Sequence, residues 1–132
     1  GWTSCAMRST HLPAILALMP TEVQNGIREV NKLTSAGSQS STINTTADKL
    51  FLLSEIEIFG SVSYSKSGEG TQYDYYKAGN SKVKNQSGSA YSWWERSPHG
   101  SNSAIFCRVN SGGDANYGYA SYAFGVAFGF CF

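Results

Sequence analysis

A chain of 132 residues with 41% hydrophobic and 14% aromatic side chains has enough apolar surface to bury a core, which excludes a disordered chain. Its net charge of +1 excludes the basic excess of polyanion-binding domains, so no nucleic-acid partner is expected. Charged residues are only 14%, so Ser, Thr, Asn, Gly and Tyr must keep the surface wet, as in chains that bind other surfaces. The chain reads as one domain, residues 1–132, and its abrupt opening at Gly1-Trp2 suggests a piece cut from a longer protein. An oligomer, if formed, would form through that preceding region.

Thr10 to Met19 reads as a short helix, because Leu12, Ile15, Leu16 and Met19 recur at i, i+3, i+4 and i+7. The apolar run Pro13–Pro20 is too short to cross a bilayer, so no membrane insertion is expected. Pro20 stops the helix. Thr21 then serves as N-cap of a second helix, with Glu22 in its first turn and Val23, Ile27 and Val30 on its apolar side. Gly26 weakens that helix, and residues near Glu29–Leu33 also suit a strand.

Ala36–Thr46 fits either a disordered loop or a wide hairpin. Leu50–Leu53 reads as a buried strand, followed by a turn through Ser54–Phe59 that ends at Gly60. Ser65–Gly70 is a Gly/Ser loop, and the segment from Tyr73 to Gly88 reads as a surface excursion with few regular elements. Tyr91–Pro98 is a strand closed by proline, and Ala104–Val109 is another. Asn110-Ser111-Gly112-Gly113-Asp114 joins it by a hairpin turn to one or two closing strands between Tyr117 and Phe132. Trp93 and Trp94 point to opposite sides of their strand, one ring into the core and one toward a loop or ligand face.

Candidate chemistry is sparse. No nucleophile elbow, HExxH motif or phosphate-cradling glycine loop is present, so no catalytic residue and no cofactor is assigned. His11 and His99 are isolated, and no metal site is expected. Cys5, Cys107 and Cys131 read as buried thiols, with a Cys107–Cys131 disulfide as the alternative. Glu55 and Glu57 read as the solvated ends of a short element, and Glu95-Arg96 as an ion pair anchoring its strand.

Three blocks carry a resemblance: Asp48–Glu55 with Gly60, Trp93-Trp94-Glu95-Arg96-Ser97-Pro98 with Phe106–Asn110, and the ending Gly125–Cys131. The sequence resembles C-type-lectin-fold domains at the C-termini of phage tail and bacterial surface proteins, a branch related to the formylglycine-generating-enzyme group. Some relatives are variable proteins of diversity-generating retroelements, such as the major tropism determinant of a phage. The resemblance implies an α+β, C-type-lectin-like fold with two short N-terminal helices and a twisted antiparallel sheet with long loops. It implies a receptor-binding face on the late strands, a host-surface protein or glycan as partner, and a place on a virion tail or bacterial cell surface.

Retroelement mutagenesis at adenines never yields Trp, Lys, Glu, Gln or Met. These five types supply 21 of the first 98 residues and none from His99 to Phe132. A glycine-rich sheet also depletes Lys and Glu, so a diversified segment and an invariant tail domain both stand. The calcium-binding motifs of sugar-binding lectins and the paired cysteines of the formylglycine-generating enzyme are missing. The candidate ligand-binding residues are His99, Ser101, Ser103, Arg108, Asp114, Tyr117, Tyr119, Ser121, Tyr122 and Phe124, with Val126–Phe132 as doubly buried scaffold. Tyr117, Tyr119 and Ser121 would share one strand face, with Gly118, Ala120 and Tyr122 opposite. An enzyme related to that group and a purely structural tail-tip module are the rival readings.

Overall fold

The computed structural model describes residues 1–38 and 40–132. The chain enters through a 3-10 turn at Trp2–Ser4 and a π-helical turn at Met7–His11, which runs directly into helix α1, Leu12–Ala17. The expected apolar stripe is present: Leu12 is buried, and Ile15, Leu16 and Met19 pack against the same core. Helix α2 spans Thr21–Gly26, with Pro20 rather than Thr21 at its N-cap, and it gives way to extended backbone at Ile27.

Strands β1 (Val30–Ser35) and β2 (Ile43–Asp48) pair antiparallel over six residue pairs, from Val30 against Asp48 to Ser35 against Ile43. The Ser/Thr-rich region therefore belongs to a wide hairpin. Strand β1 turns Lys32 and Thr34 inward and leaves Leu33 exposed, the reverse of ordinary amphipathic patterning.

Strand β3, Phe51–Leu52, is buried as expected. Ser54–Phe59 is not a turn but a helix, α3 (Glu55–Phe59). A capping box starts it: the Ser54 hydroxyl accepts the Glu57 N–H at 3.3 Å, and the Glu57 carboxylate accepts the Ser54 N–H at 3.0 Å. Gly60 ends it at φ +76°, a left-handed conformation that favours glycine. A short helix α4 (Asp74–Lys77) and an exposed hairpin of β4 (Lys84–Gln86) and β5 (Ser89–Tyr91) follow.

Strands β6 (Trp93–Pro98), β7 (Ile105–Val109) and β8 (Ala115–Tyr119) form an antiparallel sheet in that order. The expected turn joins β7 to β8, closed by Asn110 N–H to the Asp114 carbonyl at 2.9 Å. Strand β9, Phe128–Gly129, returns to pair antiparallel with β3, and Arg28 bridges Cys131. The fold class is α+β, with short helices and four small antiparallel sheets among the described residues in place of the single twisted sheet expected. No helix among them is long and apolar enough to cross a membrane.

Two apolar clusters meet at β6. Trp94 joins Trp2, Leu12, Ile27, Leu50, Phe51 and Leu52, while Trp93 joins Ile58, Tyr76 and Val109. The two indoles do lie on opposite sides, yet both are buried, because elements cover β6 on each face. The C-terminal segment also departs from expectation. Phe128 packs against the core, but Val126, Phe130 and Phe132 are exposed, so Val126–Phe132 is not a strand buried on both faces. Only two residues of it join a sheet, and the Phe130 and Phe132 rings pack on each other instead.

Candidate functional site

The candidate face rests on a buried polar core. The β6–β7 register shifts between Trp94 and Pro98, and Glu95, Arg96 and Ser97 in that stretch are all sealed from solvent. The Arg96 guanidinium grips Glu57 with two bonds, 2.5 Å to Oε2 and 2.9 Å to Oε1. It also donates to the carbonyls of Leu33, Leu52 and Glu69, tying β1, β3 and the Glu69 loop to β6. Lys32 Nζ donates to Glu57 Oε1 at 2.5 Å and to the Tyr73 hydroxyl. Burial alone would raise the Glu57 pKa, but bonding and charge from Arg96, then Lys32, hold it below its ordinary value. Burial depresses the Lys32 ammonium, with the Arg96 charge adding to that and Glu57 opposing it.

Two expectations fail here. Glu55 and Glu57 are not solvated ends; both are buried. Arg96 pairs with Glu57 rather than with its neighbour Glu95, whose two carboxyl oxygens have no hydrogen-bond partner among the described residues. Burial, then the charges of Glu55 and Glu69, pushes the Glu95 pKa well up. Burial also raises the Cys107 thiol, with Glu95 adding, an environment that disfavours the thiolate a nucleophile needs. The three cysteines are unbridged: Cys107 is buried, Cys5 half-buried and Cys131 exposed.

Glu55 links this core to the surface. Its carboxylate accepts the N–H groups of Ser63, Tyr64 and Ser65 and the Ser65 hydroxyl. That clamp fixes the loop carrying Tyr64, whose ring meets Tyr117 edge-on at 4.9 Å and His99 at 6.1 Å. His99 in turn packs on Tyr117 at 5.1 Å. Gly100 N–H to the Tyr64 carbonyl, 2.7 Å, holds the same loops together. Tyr64 had no signal in the sequence; it sits in a Gly/Ser-rich stretch, and only the fold brings it to His99.

Tyr117 and Tyr119 occupy alternate positions of β8 and are 42% and 48% exposed, with Gly118 between them buried under Phe124 and Trp94. Strand β8 ends at Tyr119, so Ser121 and Tyr122 fall outside it. A turn closed by Tyr122 N–H to the Tyr119 carbonyl brings the Tyr122 ring to 5.5 Å from Tyr119, beside it rather than opposite. Tyr122 continues to Phe124 at 6.1 Å, and Phe124 to the buried Trp94 at 4.8 Å. Arg108 lies over Phe124 at 4.5 Å and donates to the Tyr117 carbonyl and the Ser92 hydroxyl. Ser101 and Ser103 are exposed on the loop after β6. Asp114 stands apart: it bonds Asn110 at the tip of the β7–β8 hairpin, a strand length of about 16 Å from the Tyr119 end.

The profile of a family described as a domain of unknown function, DUF6273, matches residues 1–131. The chain belongs to the DUF6273 family. No curated protein matches this DUF6273 domain, and no solved structure does.

Proposed function

We propose that this DUF6273 domain is a ligand-recognition module of a phage tail or bacterial surface protein, with a C-type-lectin-like fold. Support for the fold comes from two early helices, a central antiparallel sheet with long connections, and a last strand that closes on an early one. One observation carries the function: Tyr117, Tyr119 and Tyr122 lie on and just after β8, each about half exposed, with the Tyr119 and Tyr122 rings edge-on at 5.5 Å. Exposed aromatics in contact mark interaction sites. Tyrosine supplies rigid, amphipathic contact area with little rotamer entropy to lose. The buried Arg96–Glu57–Lys32 network and the Glu55 clamp preorganise the strands and loop behind that face, which lowers the ordering cost of binding. The receptor is a protein or glycan of a bacterial surface, and the segment from His99 on is diversified by a retroelement, consistent with its lack of Trp, Lys, Glu, Gln and Met.

The test is labelling of a panel of intact bacterial strains with the fluorescent domain. The Tyr117→Ala/Tyr119→Ala variant loses labelling of every strain the natural chain marks, while its melting temperature stays within a few degrees. A variant that labels as well as the natural chain removes the tyrosine face from the recognition site.

A further inference from the structure

A cavity of about 420 Å³ opens beside this face, between the N-terminal turns and the connection from β8 to β9. Its walls are aromatic on several sides: Trp2 and Trp94 from the core, Phe106 from β7, and Tyr122 and Phe124 from the connection. Met7 and His11 reach it from the π-helical turn, a rare backbone form that recurs at functional sites. Its mouth is kept open by small residues. Ala6, Ala120 and Ala123 all border it and all are exposed, so no side chain of this protein fills the space.

The wall carries no free buried charge. Glu95 contributes to it, but its carboxyl oxygens are sealed from solvent and do not reach the cavity surface. The Cys5 thiol is turned to the Trp2 carbonyl at 3.5 Å. A charged ligand entering would lose hydration with only the exposed His11 imidazole as an ionisable group to meet, an expensive exchange. A flat uncharged ring would instead stack on or stand edge-on to the surrounding aromatics at 4.5–7 Å spacing. The volume lies at the small end of ligand pockets, roughly 300–1,000 Å³, which suits one or two fused rings.

We propose that this cavity binds an uncharged aromatic ring, either a free small molecule or the tip of an aromatic side chain presented by a partner. The cavity shares Tyr122 with the tyrosine face, and the Tyr119 ring packs on Tyr122. Tyr117 and Tyr119 themselves do not line the cavity, so the variant above keeps every wall residue, and ring binding that persists in it separates the two ideas.

NMR titration of the ¹⁵N-labelled chain with indole, and separately with N-acetyltryptophanamide, tests it. Saturable shifts of the Trp2 and Trp94 indole N–H signals are expected with at least one of the two probes. Ala120→Phe and Ala6→Phe, which fill the mouth from opposite walls, should each weaken binding about tenfold or more while leaving the rest of the spectrum in place. The pair guards against one substitution misfolding. Shifts with indole alone show that the cavity takes a free ring and excludes a backbone-linked one, and shifts with the amide show that a ring carried on a peptide backbone enters. Absence of saturation with both probes, or unchanged affinity in a folded mouth-filling variant, overturns the proposal.

Discussion

Arg96→Met probes the buried network at its centre. Methionine keeps much of the side-chain length and removes the charge. Glu57 would retain only Lys32 as a charged partner, and the carbonyls of Leu33, Leu52 and Glu69 would lose their guanidinium donor inside the core. Breaking a buried charge pair from one side costs about 3–5 kcal/mol. Each acceptor stranded without a partner adds about 1 kcal/mol or more, while the apolar burial of methionine returns about 1.5–3 kcal/mol. The net loss is then about 4 kcal/mol. At this chain length each kcal/mol lowers Tm by about 3–4 °C, so Tm should fall by roughly 12–16 °C. Urea and thermal unfolding followed by circular dichroism read both quantities. Glu57→Leu leaves Arg96 and Lys32 buried beside each other and should be comparably damaging. The double variant should cost clearly less than the two losses combined, because the charges disappear together. An Arg96→Met loss below about 1 kcal/mol, or strict additivity, refutes the reasoning.

Glu95 and Glu57 impose opposite pH dependences. Glu95 keeps its proton in the folded chain above the ordinary carboxylate value of 4.5, so folding takes up a proton and this contribution falls as pH rises from there. Glu57 has a lowered value, so its contribution is present above 4.5 and is lost as pH falls through that lowered value. Glu95→Gln should therefore gain stability relative to the natural chain between pH 5 and pH 8 in urea titrations; parallel pH curves would exclude the assignment. A thiol-specific disulfide reagent should modify Cys131 quickly, Cys5 more slowly and Cys107 only on unfolding. Mass mapping that finds Cys107 labelled in the folded chain contradicts its burial.

Local signals were legible wherever one segment decides its own conformation. The apolar spacing of Leu12, Ile15 and Leu16 marked a helix, Pro20 separated two helices, and the glycines at 112 and 113 marked the β7–β8 turn. Alternation along β8 placed Tyr117 and Tyr119 on one face, since successive strand residues point to opposite sides whatever they pack against. Helix α3 was also written locally, in the Ser54–Glu57 capping pair, though the apolar run around it reads as strand and turn.

Burial of charge was settled only by the tertiary structure. Glu55, Glu57 and Arg96 are polar residues, and polarity along a chain signals solvent unless partners arrive from elsewhere. Those partners lie 39 residues apart for Glu57 and Arg96 and 25 for Glu57 and Lys32. The exposure of Phe130 and Phe132 has the same origin: an apolar strand is buried only if two layers close on it, and β9 gains a two-residue pairing with β3. Tyr64 meets the distant His99 and Tyr117 on a loop that the Glu55 carboxylate holds by three consecutive backbone N–H groups, eight to ten residues further along the chain. Residue order records which groups can bond, whereas the spatial meeting of distant segments decides which of them do.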